Sequence, residues 1–284
     1  MIYLFQKNKP IQQANSEFLT ARNGDFCFTN LFDQNAFYDT QNNNFTVTVD
    51  EVRNHLIKKI RNDSCSLSDL FDTISGIKEY QVGKGKPPQT EAQVKGKVFN
   101  ANSKINDTYV PELRGKNLNK YSFDWTNEYI SYGNWIAEPR LPKFFEGDKI
   151  LVRQIPSSTS LVASFVGQSF VVDQTAYIAK AKSDNEIDLF FYLGILNSKV
   201  LYWYFKNINN EFDTLFPKIK VKEFNSLPLP LNPNKTISIK VKEIIKIKSK
   251  SVKQDTLKLE NEIDQLIYKL YDLTEDEIKI VEGN

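Results

Sequence analysis

The sequence has 284 residues, 40% of them hydrophobic, which is enough for one or two cores. A net charge of only +2 excludes a protein that holds nucleic acid by bulk positive charge, so any such binding must come from local patches. One histidine, His55, and two cysteines, Cys27 and Cys65, exclude a typical zinc site, and with no signal peptide or long apolar segment the cysteines read as reduced thiols of a cytoplasmic protein.

Residues 1 to about 66 read as short strands and loops. Asp25–Thr29 and Phe45–Val49 alternate apolar and polar residues, with an Asn/Asp/Gln-rich loop between them. Thr48-x-x-Glu51 is a capping box, and Val49, Val52, Leu56 and Ile60 line one face of the helix it starts. His55 sits beside that face with no nucleophile or acid placed to work with it, which makes it a surface or boundary residue.

A new unit begins at Ser66-Leu-Ser-Asp-Leu-Phe71. Gly76–Gln89 contains three glycines and two prolines, which exclude regular structure. From Gly76 to Lys104, six lysines (78, 84, 86, 95, 97 and 104) face only Glu79 and Glu91, a local charge of +4. Gly83-Lys-Gly-Lys86 lacks the spacing of a phosphate-cradling P-loop. It fits either a flexible basic loop that tracks a phosphate backbone or an ordinary solvated loop.

Tyr109–Leu118 (YVPELRGKNL) follows, then Ile130–Ile136, a strand interrupted by a turn at Gly133. Gly147-Asp148 is a turn before the strand Lys149–Ile155, in which Arg153 stands among apolar neighbours. Its fork could close a buried ion pair, or reach a guanine edge or a phosphate. Leu161–Val166 and Phe170–Val172 are strands joined across Gly167, and Asp173-Gln-Thr175 puts polar groups at a strand end before Ala176–Ala179.

The densest apolar run spans Leu189–Phe205. Asp184, Asn185 and Asp188 are cap candidates ahead of it, so it reads as a helix, and its apolar residues surround the axis, so the helix is buried on most sides. Leu196-Asn-Ser-Lys199 is a break and restart, with Asn197 or Ser198 capping a second short helix; the interruption also rules out a membrane span. Pro217–Lys222 alternates apolar and basic residues and reads as a strand with a lysine face, and Leu227-Pro-Leu-Pro230 closes the unit because neither proline can donate to a ladder.

After Asn232-Pro233 the chain changes character, and Ile237–Lys258 is helical in pattern and basic. Eight lysines between 235 and 258 stand against Glu243 and Asp255, a charge of +6, whereas residues 260–284 carry eight acids against Lys269 and Lys279, a charge of −6. An antiparallel helical pair with lysine-rich and acid-rich arms facing each other accounts for this, followed by a short helix capped by Thr274-x-x-Glu277.

Catalytic machinery is missing from the pattern. There is no Asn/Asp-Pro-Pro-Tyr loop to hold a flipped base and no glycine-rich turn for a methyl donor. Glu277-Ile-Lys279 has the spelling of a nuclease acid-x-Lys pair but lies in a terminal amphipathic helix, and a single histidine builds no Ser/His/Asp set. The residues therefore describe a binder with no catalytic or metal site of its own.

LGILNSKVLYWYF (193–205), the basic stretch 217–222 and SLPLP (226–230) resemble the TaqI-like C-terminal specificity domain, the DNA-recognition part of adenine-specific DNA methyltransferases and of fused restriction–modification enzymes. Leu67–Ile77, Tyr109–Leu118, Ile130–Trp135, Lys149–Arg153 and Ile263–Ile278 are similar to further segments of the same family, in order, over about residues 66–282. The resemblance implies an α+β fold: a mixed β-sheet DNA-recognition domain with a buried helix pair, followed by a helical C-terminal tail. It divides the chain into 1–65, the end of a methyltransferase domain or a connector, 66–232, the target-recognition domain, and 233–284, the tail.

The family's catalytic motifs are then expected upstream of Met1, on a bacterial methyltransferase, and a nuclease where the two are fused, that uses S-adenosylmethionine; this chain itself needs no cofactor. The implied partners are double-stranded DNA and that catalytic domain, with no membrane. Lys78, Lys84, Lys86, Lys116, Lys218, Lys220 and Lys222 are the expected basic contacts to DNA, and Arg114, Arg140, Arg153, Gln154 and Gln174 are expected near base edges. The competing expectation is a protein-interaction scaffold that binds a partner subunit through its C-terminal helical pair.

Overall fold

Short alternating stretches punctuated by glycine and proline become short strands, and the computed structural model describes residues 15–22, 25–33, 51–182, 186–208 and 218–283. The chain divides into two units, Met1–Lys59 and Ile60–Asn284. In the first, β1 (Asn15–Arg22) and β2 (Asp25–Asp33) form an antiparallel hairpin whose register shifts between Phe18 and Leu19. The expected strand Asp25–Thr29 lies within β2; the expected strand Phe45–Val49 and the cap at Thr48 lie outside the described residues. Helix α1 (Glu51–Arg61) crosses the boundary between the units. Leu56 and Ile60 are buried and His55 is exposed, as read; Val52 is 57% exposed, because the apolar face is covered only beyond the first turn.

The second unit begins with β3 (Ser64–Ser66), α2 (Leu67–Leu70), β4 (Phe71–Ser75), α3 (Glu91–Gly96), β5 (Asn100–Ala101) and β6 (Tyr109–Leu113). Then come β7 (Leu118–Asn119), β8 (Ser122–Phe123), β9 (Tyr129–Ser131), β10 (Lys149–Arg153), β11 (Ala163–Val166), β12 (Val171–Val172) and β13 (Ala176–Ala181). Helices α4 (Leu189–Leu196), α5 (Lys199–Ile208) and α6 (Val221–Asn225), strand β14 (Pro228–Pro230), and helices α7 (Lys235–Lys248), α8 (Leu257–Leu270) and α9 (Glu275–Glu282) complete it. This is an α+β fold with mixed sheets and a helical C-terminal region.

Two four-stranded sheets form the first half of this unit. One has the order β11-β10-β13-β4 and is antiparallel throughout; the other has the order β12-β6-β9-β5, with β12 parallel to β6. The strands on either side of Gly167 therefore enter different sheets. Leu151 and Ile178 of the first sheet share one apolar cluster with Leu113, Ile130 and Val172 of the second, extended by Trp125 and Trp135.

The helix pair forms as its pattern requires. The Asp188 carboxylate accepts from the Phe190 and Phe191 N–H groups at 3.1 Å each, starting α4, and Phe191 to Leu196 are all buried. Burial of each such large apolar side chain contributes about 1.5–3 kcal/mol. After the break, Ser198 Oγ accepts from Leu201 N–H at 3.2 Å, and buried Asp264 of α8 accepts from Lys199 N–H at 3.0 Å, so α5 is capped from within and from a distant helix. At Gly194 a Cβ would lie 2.8 Å from Ile237 Cγ2 and 3.2 Å from Val241 Cγ2, so the absent side chain sets how closely α4 meets α7.

Three expectations are corrected. Of the expected strand Pro217–Lys222, Pro217 lies outside the described residues and Lys218–Lys222 is not a strand: Ile219 N–H donates to Gln154 O at 2.8 Å, and α6 then starts at Val221 because the Glu223 carboxylate accepts from Lys220 N–H at 2.9 Å. Leu227–Pro230 does pair, β14 running antiparallel to β3. Leu67 N–H donates to Leu227 O and Leu231 N–H to Asp63 O, so Pro228 and Pro230 fall at positions that need no donor. The lysine-rich helix ends at Lys248, where Ser249, Ser251 and Asp255 side chains bond to nearby backbone and compete with the helical pattern. The expected antiparallel pair is α7 and α8, joined by Lys240–Glu262 at 2.5 Å, and Thr274 and Glu277 form the expected capping box of α9. Among the described residues, no helix is long and apolar enough to cross a membrane.

Candidate nucleic-acid interface

One end of the first sheet carries the site. There Arg153, the last residue of β10, pairs with Ala176, the first of β13, while Ser75 closes β4 opposite Tyr177. The chain leaving β6, the link between β12 and β13, and Lys218 converge on the same end. They line a cleft of about 460 Å³ bounded by Arg114, Gly115, Lys116, Arg153, Gln154, Ile155, Asp173, Thr175 and Lys218. Five of the residues expected from sequence, Arg114, Lys116, Arg153, Gln154 and Lys218, thus meet in one place although they span more than a hundred positions of sequence.

Their chemical states differ. Arg114 Nη2 donates to Glu79 at 2.8 Å and to Glu112 at 2.9 Å, and Arg114 Nε also donates to Glu112. Burial first, then a hydrogen bond to Glu79, push the Glu112 carboxyl far above the usual carboxylate range, to about 9. Both acids lie against the guanidinium, so the arginine charge is met within the fold. Glu112 Oε1 is buried and has no hydrogen-bond partner among the described residues. The same triad backs a smaller recess of about 120 Å³ lined by Lys97, Asn100, Asn102, Glu128 and Tyr129.

Lys116 is exposed and pairs with Glu128 at 2.6 Å. Gln154 is buried and donates to Ser75 Oγ at 3.1 Å, so its amide braces the sheet end. Burial raises the Asp173 carboxyl above its ordinary value, and that carboxylate accepts from the N–H and hydroxyl of Thr175, whose Oγ1 in turn accepts from Gly115 N–H at 2.7 Å. Arg153 closes no ion pair among the described residues; Lys218 is exposed and likewise has no charged partner there.

The other expected residues lie around or away from the cleft. Gln174 is exposed beside it, its backbone oxygen accepting from Ser75 Oγ. Arg140 Nε donates to the Ser75 and Gly76 carbonyls at 3.0 and 3.2 Å, and Nη2 lies 3.2 Å from Glu138, so Arg140 fastens the rim. Lys78 donates to Gln81 at 2.7 Å. Lys84 and Lys86 are exposed on a loop fastened from within: the buried Gln89 amide bonds Gln81 N–H, Glu79 O and Trp135 O at 2.8–2.9 Å. Gly85, at φ +87°, lies where a Cβ would be 2.3 Å from Trp135 O. Lys220 and Lys222 are exposed at the start of α6 and do not form the expected strand face.

Sequence reasoning missed Glu79 and Glu112 as partners of Arg114, and the Asp173–Thr175 support beneath Gly115. Tyr109 and Val110 are strand formers that would have placed Glu112 on a strand; its partner Glu79, 33 positions earlier, leaves no local signal. Lys149, read only as a strand residue, is fully buried, its ammonium donating to Gly147 O and Gln168 O at 3.0 and 2.7 Å, and burial lowers its pKa to about 8. Among the described residues no group of three or more His, Cys, Asp or Glu converges as a metal site.

Residues 110–229 match the TaqI-like C-terminal specificity domain, the family that the motifs resemble; every cleft residue lies inside that segment. Over 181 residues the chain is 28% identical to a protein of Methanocaldococcus jannaschii named as a type II restriction enzyme and methyltransferase. The alignment covers 60% of this chain and 15% of that relative, so the chain spans only a small part of the relative's length. Among solved structures, it is similar to the type IIL restriction–modification enzyme MmeI in complex with DNA, with a TM-score of 0.48 and 13% identity, covering 78% of this chain and 36% of that one. It is also similar to the type IIG restriction endonuclease BpuSI, with a TM-score of 0.44 and 11% identity, covering 76% of this chain and 32% of that one. A third similarity is to the HsdS subunit of Thermoanaerobacter tengcongensis, with a TM-score of 0.36 and 12% identity, covering 76% and 50%. All three overlaps are partial.

Proposed function

We propose that this chain recognises a specific site in double-stranded DNA for a restriction–modification enzyme that methylates adenine. The observation that carries this reading is the cleft: five residues expected at a DNA interface converge on one sheet end inside the segment that matches the specificity domain. Exposed cations there meet phosphates, and exposed polar groups at the rim, Gln174 among them, approach base edges. Methyl transfer, with S-adenosylmethionine as donor, belongs to a catalytic domain that works together with this one.

The scaffold alternative rests on the charge segregation of residues 235–284, part of which is used inside the chain, where Lys240 pairs with Glu262 and Lys120 with Glu260. Binding of the full chain to a pool of randomised duplexes, followed by sequencing of the retained fraction, tests the proposal. Enrichment of one recurring site, with affinity that falls as salt rises, is expected. Retention of no duplex at low salt would overturn it.

A further inference from the structure

The charges lining the cleft do not all cancel. Arg114 is balanced by the Glu79–Glu112 pair and Lys116 by Glu128, which leaves Arg153 and Lys218 against the single carboxylate of Asp173. Among the described residues the cleft thus carries one uncompensated positive charge, with guanidinium and ammonium donors that have no acceptor of their own there.

The shape bears on what fills it. In a B-form duplex the base edges lie at the floor of a groove about 8.5 Å deep, so residues that read them protrude. Phosphodiesters form the convex ridges, which a concavity receives. Arg153 is half-buried in the wall of a concavity and held by its strand: its N–H donates to Val162 O at 3.1 Å, and the next residue, Gln154, donates its N–H to Thr175 O at 2.9 Å. Such a fork is pre-organised for two parallel bonds to one phosphate, while a point-charge lysine adds attraction without demanding geometry. A guanine edge would satisfy the donors but, being neutral, would leave the charge uncompensated.

We infer that Arg153 and Lys218 form a subsite for one backbone phosphodiester of the bound duplex, fixing its register instead of reading its sequence. This rests on the DNA-recognition reading above. The test uses the full chain and a duplex selected from the randomised pool, with single phosphates replaced in turn by neutral methylphosphonates. One position is expected at which neutralisation weakens the wild-type chain several-fold but weakens Arg153→Ala no further. The double variant R153A/K218A should lower the log–log salt slope by about 0.9, the value for one phosphate, and leave the selected sequence unchanged.

Arg153→Lys separates charge from fork: it should keep the slope but lose affinity. Relaxed preference at one base pair with an unaltered slope would make Arg153 a base reader and overturn the inference, as would duplex affinity indifferent to Arg153→Ala. Circular dichroism of each variant confirms the fold. A wild-type chain that bound no duplex would instead bring down the recognition reading itself.

Discussion

The side-chain amide of Asn197 holds both backbone groups of Ala163: Oδ1 accepts from its N–H at 2.8 Å, and Nδ2 donates to its carbonyl at 2.9 Å, with a third bond to Leu193 O at 3.1 Å. The break between the two central helices thereby completes the hydrogen bonding of β11, at the edge of the first sheet. Asn197→Ala strands the buried Ala163 N–H, while the Ala163 and Leu193 carbonyls keep bonds from the Tyr121 and Asn197 N–H groups, so a loss of about 1–3 kcal/mol is expected in denaturant unfolding. Asn197→Asp keeps the acceptor, removes both donated bonds, and should recover part of it.

Gly194 allows the close approach of α4 to α7. Gly194→Ala gains about 1 kcal/mol of helix propensity but drives a methyl group against two β-branched side chains, at a cost of about 1–3 kcal/mol. A net destabilisation of about 1 kcal/mol is expected, and Gly194→Val should cost more. In a double-mutant cycle with Ile237→Ala, which removes the obstructing Cγ2, the two changes should be less than additive. Strict additivity would show that the helices do not meet as described.

The Glu79–Arg114–Glu112 triad gives stability a pH signature. Burial raises the Glu112 pKa in the folded state from 4.5 to about 9, so the folded chain holds a proton that the unfolded chain releases. This contribution is complete below the unfolded value and is lost as pH rises through the folded one. Thermal unfolding between pH 5 and pH 9 should show falling stability for the wild type. Glu112→Gln, which imitates the protonated acid, should flatten that fall; an equally steep fall in the variant would exclude Glu112 as its source.

Lys84 and Lys86 test the reach of the DNA surface, since their loop is fastened by Gln89 while both ammonium groups remain exposed. If both meet phosphates, Lys84→Ala with Lys86→Ala lowers the salt slope by about 0.9 for each contact. An unchanged slope would confine the interface to the cleft.

Much of this was legible because local signals agreed. In Asp188–Phe205 the cap, the apolar run and the polar break all sit within a few turns, and the two helices lie where those signals place them. The period-two spacing of Lys218, Lys220 and Lys222 has the look of a strand face, but Glu223, three residues beyond Lys220, is a helix-start signal, and it prevails. Convergence of Arg114, Arg153 and Lys218 depends on how the strand ends are brought together, which no window of sequence reports. The motif match supplied their membership in a common surface, but not that Arg114 would be held by two acids.

The pairing of β14 with β3 has a consequence for inheritance. Leu229 lies opposite Cys65, so everything from Leu67 to Leu227 leaves and rejoins the body at adjoining points, like a bead clipped at its neck. Because α4 and α5 lie inside that bead yet pack on the helices beyond it, Gly194 against Ile237 and Lys199 N–H on Asp264, any insert exchanged at this neck must bring its own match to α7 and α8.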